Sequence, residues 1–160
     1  MNVINTKLLN EDVTTVTVKQ LGPSIGAEIH GLDATKPLNQ ATTQTISDAL
    51  LEHGVLVFRD QEITREQQAA FTAQFGTLTI HPISPHLKEL PEMIVLDNDG
   101  ENPPLSTDVW HSDETFRLEP PMGTVLRAVI VPRVGGDTLF ASMTAAFEGL
   151  SDHMQWFISG

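Results

Sequence analysis

The spacing of apolar and polar residues predicts short strands and helices in the first part of the chain. Residues 15–19 alternate as a half-buried strand does, and a turn rich in glycine and proline separates them from a second strand candidate at 27–30. A helix is predicted to begin at the N-cap Asn39 and to end at Gly54. The continuously apolar run 55–58, which is rich in β-branched residues, then predicts a buried strand.

A second helix is predicted from its capping residues. Thr64 and Gln67 form a capping-box pattern, and Gly76 follows as the stop signal. The proline-rich stretch 78–105 predicts a mostly structured loop around one strand-like run at 93–97.

The last third of the chain predicts two strands and two short helices. Residues 124–131 and 137–141 are strand candidates, and the connection between them is too short for a crossover helix. They are therefore predicted to pair antiparallel. Ser142 and Ser151 each stand where they can cap a short helix, and Gly160 stands where a C-cap glycine would.

Composition and charge narrow the class of protein. The 160 residues, 40% of them hydrophobic, are enough for one domain with a core. The 21 acidic residues outnumber the 9 basic ones, and a net charge of −12 repels phosphate backbones and anionic membranes. Neither nucleic acid nor a membrane is expected as a partner.

Cysteine is absent, which leaves His, Asp and Glu as strong metal ligands. No apolar stretch has the length of a signal peptide or a membrane span, so a cytoplasmic location is expected.

One short motif brings two metal-binding side chains together. His111 and Asp113 are separated by one residue, and on an extended chain both side chains point to the same face. An imidazole and a carboxylate, joined by a second histidine, form the facial triad that holds Fe(II) and leaves positions open for a cosubstrate and O₂. An H-x-D pattern arises by chance in about one such chain in three, so alone it indicates no more than a surface pair.

Seven stretches of sequence, in chain order, give the motif its context: Leu21-Gly22-Pro23 with Ile25-Gly26-Ala27, Val57-Phe58-Arg59-Asp60-Gln61, Ile80-His81-Pro82, Ile94-Val95-Leu96-Asp97, Asn102-Pro103-Pro104, Trp110-His111-x-Asp113 and Gly135-Gly136-Asp137-Thr138. With them the chain resembles the taurine dioxygenase family of Fe(II)- and 2-oxoglutarate-dependent dioxygenases over essentially its whole length.

Residues 1–160 are interpreted as the N-terminal portion of a single domain of that family. The resemblance implies an α+β or mainly β fold with a double-stranded β-helix (jelly-roll) core and flanking helices, incomplete in this chain. It also implies Fe(II), 2-oxoglutarate as cosubstrate and O₂, with hydroxylation of a substrate carbon and release of succinate and CO₂.

The resemblance implies roles for individual residues at the metal. His111 and Asp113 match the first two iron ligands and form the catalytic pair. Thr138 matches the threonine whose hydroxyl binds the 2-oxoglutarate carboxylate, and a hydroxyl beside a glycine pair can approach a small anion closely. Trp110 is expected to pack beneath the metal site.

Three further positions bear on the substrate. His81 matches the family histidine that contacts the sulfonate of taurine, a role that an imidazole can fill near neutral pH. Ser84 and Thr107 stand where the taurine pattern has a tyrosine and an asparagine. These two departures argue against taurine itself, and the expected substrate is a small anionic molecule of the sulfonate or carboxylate type.

The family pattern also requires residues that this chain does not show. A second metal histidine and the arginines for 2-oxoglutarate and substrate would lie beyond residue 160, and Arg127, Arg133 and His153 do not match those roles. Two ligands without an arginine clamp should bind metal and cosubstrate weakly. The chain is therefore expected to be a truncated product, an incomplete sequence or one part of a split protein, which acts as a homo-oligomer or with a complementing C-terminal chain.

Three classes of function follow from the sequence. The first is a dioxygenase that acts on a small anionic molecule. The second is a truncated, catalytically inactive remnant that binds a partner chain or binds metal only weakly. The third is a metal-binding, cupin-like protein without oxygenase activity, whose site would be completed by His81 or His86.

Overall fold

The computed structural model describes residues 15–83, 87–97 and 109–160. The predictions for Ser84 and Thr107, and the match at 102–104, lie outside this range. The chain divides into two compact units, Met1–Ile63 with Asp137–Gly160, and Thr64–Gly136. Within the described ranges, no helix is long and apolar enough to cross a membrane.

The first unit contains a three-stranded mixed sheet with the strand order β1-β2-β3. Strand β1 (Thr17–Gln20) pairs antiparallel with β2 (Ala27–His30), as a short turn between them allows. Strand β2 pairs parallel with β3 (Leu56–Phe58). A parallel pair needs a long crossover, and helix α1 (Gln40–His53) supplies it.

The core of the first unit lies between β2 and α1. Ile29 is paired with Val18 on one side and with Phe58 on the other, and it is buried. Ile46 from α1 is 3% exposed. Strand β3 is half-buried rather than buried as predicted, because it forms one edge of the three-stranded sheet.

Both predicted ends of α1 are confirmed. The Asn39 side chain accepts a hydrogen bond of 2.8 Å from the backbone N–H of Thr42, which satisfies one of the free donors of the first turn. Gly54 closes the helix in the left-handed conformation, with a φ of 69° that an L residue rarely adopts.

The second unit contains helix α2 (Arg65–Thr72) and otherwise irregular backbone in its described residues. The predicted capping box is confirmed: the Thr64 hydroxyl accepts from the Gln67 N–H, and the Gln67 side chain accepts from the Thr64 N–H. The helix ends four residues before Gly76, because the backbone bonds of residues 74 and 75 tighten to the three-residue spacing that often ends a helix.

Three strand predictions are wrong. The runs 93–97, 124–131 and 137–141 all lie within the described residues, and none of them forms a strand. All three are rich in residues that favour strands, but a strand exists only where a neighbouring strand takes up its backbone hydrogen bonds. The predicted antiparallel hairpin is therefore absent from residues 124–141.

The two short helices after this region are confirmed. Helix α3 (Met143–Glu148) begins at Ser142, whose hydroxyl accepts from the Ala145 N–H at 3.1 Å. Helix α4 (Asp152–Ser159) begins at Ser151 in the same way and ends at Gly160. Neither helix has a buried residue.

Candidate functional site

His111 and Asp113 approach each other in the second unit, on a segment outside any helix or strand. The Nε2 atom of His111 lies 3.4 Å from the Oδ1 atom of Asp113. Two donor atoms that bind one divalent ion at right angles, each about 2.1 Å from it, lie about 3 Å apart. The observed spacing therefore fits two adjacent ligands of a single ion.

The outer atom of each side chain has its own partner. The Nδ1 atom of His111 lies 2.8 Å from the carbonyl oxygen of Val109, and because a carbonyl only accepts, Nδ1 carries the proton. The Thr124 hydroxyl donates to the Oδ2 atom of Asp113 at 3.0 Å. In a neutral ring the two atoms that face each other, Nε2 and Oδ1, are then both acceptors. A cation between them, either a metal ion or the proton of an imidazolium, satisfies both.

The pair is open to solvent and supplies two ligands. The side chains of His111 and Asp113 are 65% and 57% exposed. Among the residues that the structure describes, no group of three or more His, Cys, Asp or Glu side chains converges on one point. The donors present thus suit a hard divalent ion and would fill two of its coordination positions, and water would compete for the ion.

His81 lies against the turn that follows Asp113. Its ring meets the ring of Phe116 edge to face, with centroids 6.1 Å apart. The backbone N–H of Ile83 donates to its Nδ1 atom at 3.4 Å, so in the neutral ring the proton is carried by Nε2. The structure therefore brings this predicted substrate residue to the turn that follows His111 and Asp113.

The turn itself contains an acid–base pair. Glu114 adopts a left-handed backbone conformation with a φ of 49°, and its carboxylate forms an ion pair with Arg117. The Arg117 backbone N–H also donates to the Glu114 carbonyl at 3.0 Å.

The prediction for Trp110 is wrong, because its side chain is 69% exposed and the described residues provide no surface that covers it.

Thr138, the predicted 2-oxoglutarate ligand, belongs to the first unit. It is exposed and lies outside any helix or strand. The glycine pair that precedes it has φ values of 75° and 73°, as expected for a tight turn made by glycine.

Two side chains at the site were not predicted from the sequence. Thr124 lies eleven residues after Asp113, and no spacing rule connects a hydroxyl to a carboxylate at that separation. For Arg117 the sequence contains a weak indication of its pairing with Glu114, because an acid and a base three residues apart can pair within one turn. No sequence pattern indicates its contact with the Ile80 carbonyl, which lies 37 residues away in the chain.

Known proteins resemble this chain in sequence and in structure. The family described as "Taurine catabolism dioxygenase TauD, TfdA family" matches residues 17–160. An alkylsulfatase of Acinetobacter baylyi is 33% identical over 153 residues, which are 95% of this chain and 47% of that protein. The alpha-ketoglutarate-dependent sulfonate dioxygenase of Saccharomyces cerevisiae is 34% identical over 93% of this chain and 39% of its own length.

A crystal structure shows the same likeness in three dimensions. A taurine dioxygenase from Burkholderia xenovorans matches with a TM-score of 0.76 and 38% identity, over 91% of this chain and 51% of that one. The chain spans about half the length of the relatives that it matches, or somewhat less. Since the family match extends over residues 17–160, the chain belongs to the TauD, TfdA family of taurine catabolism dioxygenases.

Proposed function

We propose that this chain supplies the first two metal ligands of an Fe(II)- and 2-oxoglutarate-dependent dioxygenase that hydroxylates a small anionic substrate and releases succinate and CO₂. The observation that carries the proposal is the 3.4 Å approach of His111 Nε2 and Asp113 Oδ1, with both outer atoms already hydrogen-bonded. Fe(II) bound there would supply the site at which 2-oxoglutarate and O₂ react to oxidise a substrate carbon.

The residues around the pair prepare it for a metal ion. The Val109 carbonyl fixes the tautomer of His111, so that Nε2 presents its lone pair. The Thr124 hydroxyl engages one oxygen of Asp113 and leaves the other oriented towards the imidazole. Both side chains are therefore oriented before the ion arrives, which lowers the entropic cost of binding it.

The proposed substrate carries a sulfonate, sulfate or carboxylate group, and His81 is its proposed donor. With Nδ1 engaged by the backbone, the neutral imidazole has its N–H at Nε2, where it can donate to an anionic oxygen. Two of the relatives are named for sulfur oxyanion chemistry, one an alkylsulfatase and the other a sulfonate dioxygenase. Ser84 and Thr107 are proposed to line the same pocket, and Thr138 to bind the carboxylate of 2-oxoglutarate.

The proposed enzyme also needs a complementing polypeptide that carries a second metal histidine and an arginine, and that completes a jelly-roll core. The run 124–131 supports this, because its strand-forming apolar side chains are exposed, with Val129 at 73% and Ile130 at 91%. Strand-forming residues whose apolar side chains are exposed can be covered when another strand is added beside them. A homo-oligomer is the alternative source of that strand.

The decisive experiment measures succinate formed from 2-oxoglutarate with Fe(II) and O₂. The 160-residue chain is tested alone, and then mixed with the half of the Burkholderia xenovorans taurine dioxygenase that it does not match. Succinate should form in the mixture and fall to background with His111→Ala, while the control variant His30→Ala, in the first unit, should leave it unchanged. Equal succinate from His111→Ala and the wild type would contradict the assignment of the metal pair.

A second candidate is a catalytically inactive remnant that binds a partner chain or holds metal only weakly. The observation that favours it is the lack of any three-ligand group among the described residues. Metal binding without succinate, both alone and in the mixture, would favour this remnant. Loss of metal binding in His81→Ala would instead indicate the cupin-like alternative, in which His81 is itself a ligand.

A further inference from the structure

The Arg117 side chain lies between the two segments that carry the candidate site. One of its terminal nitrogens donates to the Ile80 carbonyl at 3.1 Å, directly before His81. Its Nε atom forms the ion pair with Glu114, directly after Asp113. The guanidinium carbon also lies 5.9 Å from the ring centroid of Phe116, the ring that contacts His81.

The ion pair between Arg117 and Glu114 is shielded from water more than the pair of His111 and Asp113. The side chain of Glu114 is 11% exposed and that of Arg117 is 30% exposed, whereas His111 and Asp113 are each more than half exposed. Charge-assisted hydrogen bonds strengthen as water is excluded from them. The best-shielded ion pair at the site is therefore the one between Arg117 and Glu114, and not the pair of candidate ligands.

The backbone next to Asp113 also depends on this contact. Glu114 is held at a φ of 49°, a conformation that L residues rarely adopt and that persists only where surrounding contacts determine it. Arg117 provides such contacts through its side chain and through its backbone N–H. Since Glu114 is bonded to Asp113, its backbone conformation sets how Asp113 is oriented relative to the turn that contains Arg117.

We propose that Arg117 is a positioning residue that fixes His81 at one distance from Asp113, and so fixes the spacing between the metal ion and the anionic group of the substrate. The proposal rests on the proposed function for its meaning, because it assigns a metal to Asp113 and an anion to His81. Its role is positioning, because the donors that the proposal uses, Nε and one terminal nitrogen, are directed at Glu114 and the Ile80 carbonyl.

The test compares Arg117→Met with Arg59→Met in the full 160-residue chain by NMR. Arg59 is the matched control, because it also pairs with a glutamate, Glu28, at 3.4 Å, but in the first unit. Two quantities are measured. One is the chemical shift of the His81 ring protons, which the adjacent ring of Phe116 displaces from the value of a free histidine. The other is the ratio of the line broadening that Mn(II) causes at His81 to that at His111.

Arg117→Met should move the His81 shifts at least halfway to those of a free histidine and change the broadening ratio at least twofold. Arg59→Met should change neither quantity. Arg117→Lys keeps the charge but cannot reach both Glu114 and the Ile80 carbonyl with a forked group, so it should give intermediate values. Wild-type values of both quantities in Arg117→Met would overturn the proposal.

Two further measurements keep the proposal testable on its own. If Arg117→Met fails to fold, Glu114→Gln removes the charge of the pair while keeping its shape, and should shift the His81 signals in the same direction. Unchanged His81 signals in that variant would overturn the proposal. If Mn(II) does not broaden His111 in the wild type, the proposed function fails, while the His81 shifts still decide the role of Arg117.

Discussion

Removing the Thr124 hydroxyl should weaken metal binding without disturbing the fold. Thr124→Val keeps the shape of the side chain and deletes the donor that lies 3.0 Å from Asp113 Oδ2. The carboxylate then loses the contact that orients it and rotates more freely, so the entropic cost of fixing it falls on the metal-binding step. Thr124→Ser restores the donor and should restore the affinity.

The size of the effect follows from the exposure of the site. A hydrogen bond to a charged group contributes about 1.5–3 kcal/mol when water is excluded. Asp113 is 57% exposed, and water can replace the lost donor. We therefore expect a loss of about 0.5–1 kcal/mol in binding free energy, which corresponds to a dissociation constant about twofold to fivefold larger.

Mn(II) titration followed by NMR line broadening suits a site of weak affinity, because it reports the dissociation constant at His111 directly. The matched control is Thr45→Val in α1, where the hydroxyl that is lost donates to the Ala41 carbonyl at 2.9 Å. The control should bind Mn(II) as the wild type does. A dissociation constant for Thr124→Val within experimental error of the wild type, or a Thr124→Ser variant as weak as the valine variant, would refute the reasoning.

Three predictions concern the first unit. Asn39→Ala removes the N-cap of α1 and should lower the free energy of unfolding by about 1 kcal/mol, as measured by urea denaturation. Ile46→Ala should lower it by about 2–5 kcal/mol in the same assay, because Ile46 is only 3% exposed and its deletion leaves a cavity. The hydrogen bond from Lys36, followed by those from Thr35, lowers the pKa of Asp33 from 3.8 to about 2. A lowered pKa means that its stabilising contribution is complete above pH 4 and is lost as the pH falls towards 2. Lys36→Met should raise the Asp33 midpoint in a carboxyl NMR titration, and an unchanged midpoint would exclude Lys36 as the main cause.

Local chemistry made the helix ends and the approach of His111 to Asp113 predictable. Asn39 and Ser151 are N-caps because a short polar side chain satisfies the free N–H groups of its own first turn, within three residues of chain. His111 and Asp113 meet for an equally local reason, since side chains two positions apart on an extended segment share a face. Neither the N-caps nor the approach of His111 and Asp113 depends on residues far away in the chain.

Contacts between distant residues explain the predictions that failed and the residues that were missed. The run 124–131 has the composition of a strand, but composition does not supply the neighbour whose backbone would pair with it. At Val125 the backbone carbonyl accepts from a side chain instead of a strand, since Gln68 donates to it at 3.1 Å. Thr124 and Arg117 were missed for the same reason, because their partners are 11 and 37 residues away.

The exposure of the metal pair leads to a last prediction about the complementing polypeptide. A polypeptide that covers His111 and Asp113 and adds a third ligand would exclude water and strengthen each metal contact. It should therefore raise the affinity for Mn(II). Because binding free energies are reciprocal, Mn(II) should raise the affinity for the polypeptide by the same factor.

Calorimetry can measure both halves of this cycle with the unmatched half of the Burkholderia xenovorans protein. His111→Ala is the sharpest control, because it should abolish the effect of Mn(II) on polypeptide binding while leaving the metal-free affinity in place. If Mn(II) strengthened polypeptide binding equally in the wild type and in His111→Ala, the coupling would arise elsewhere. The pair at 3.4 Å would then not be the point at which metal and polypeptide meet.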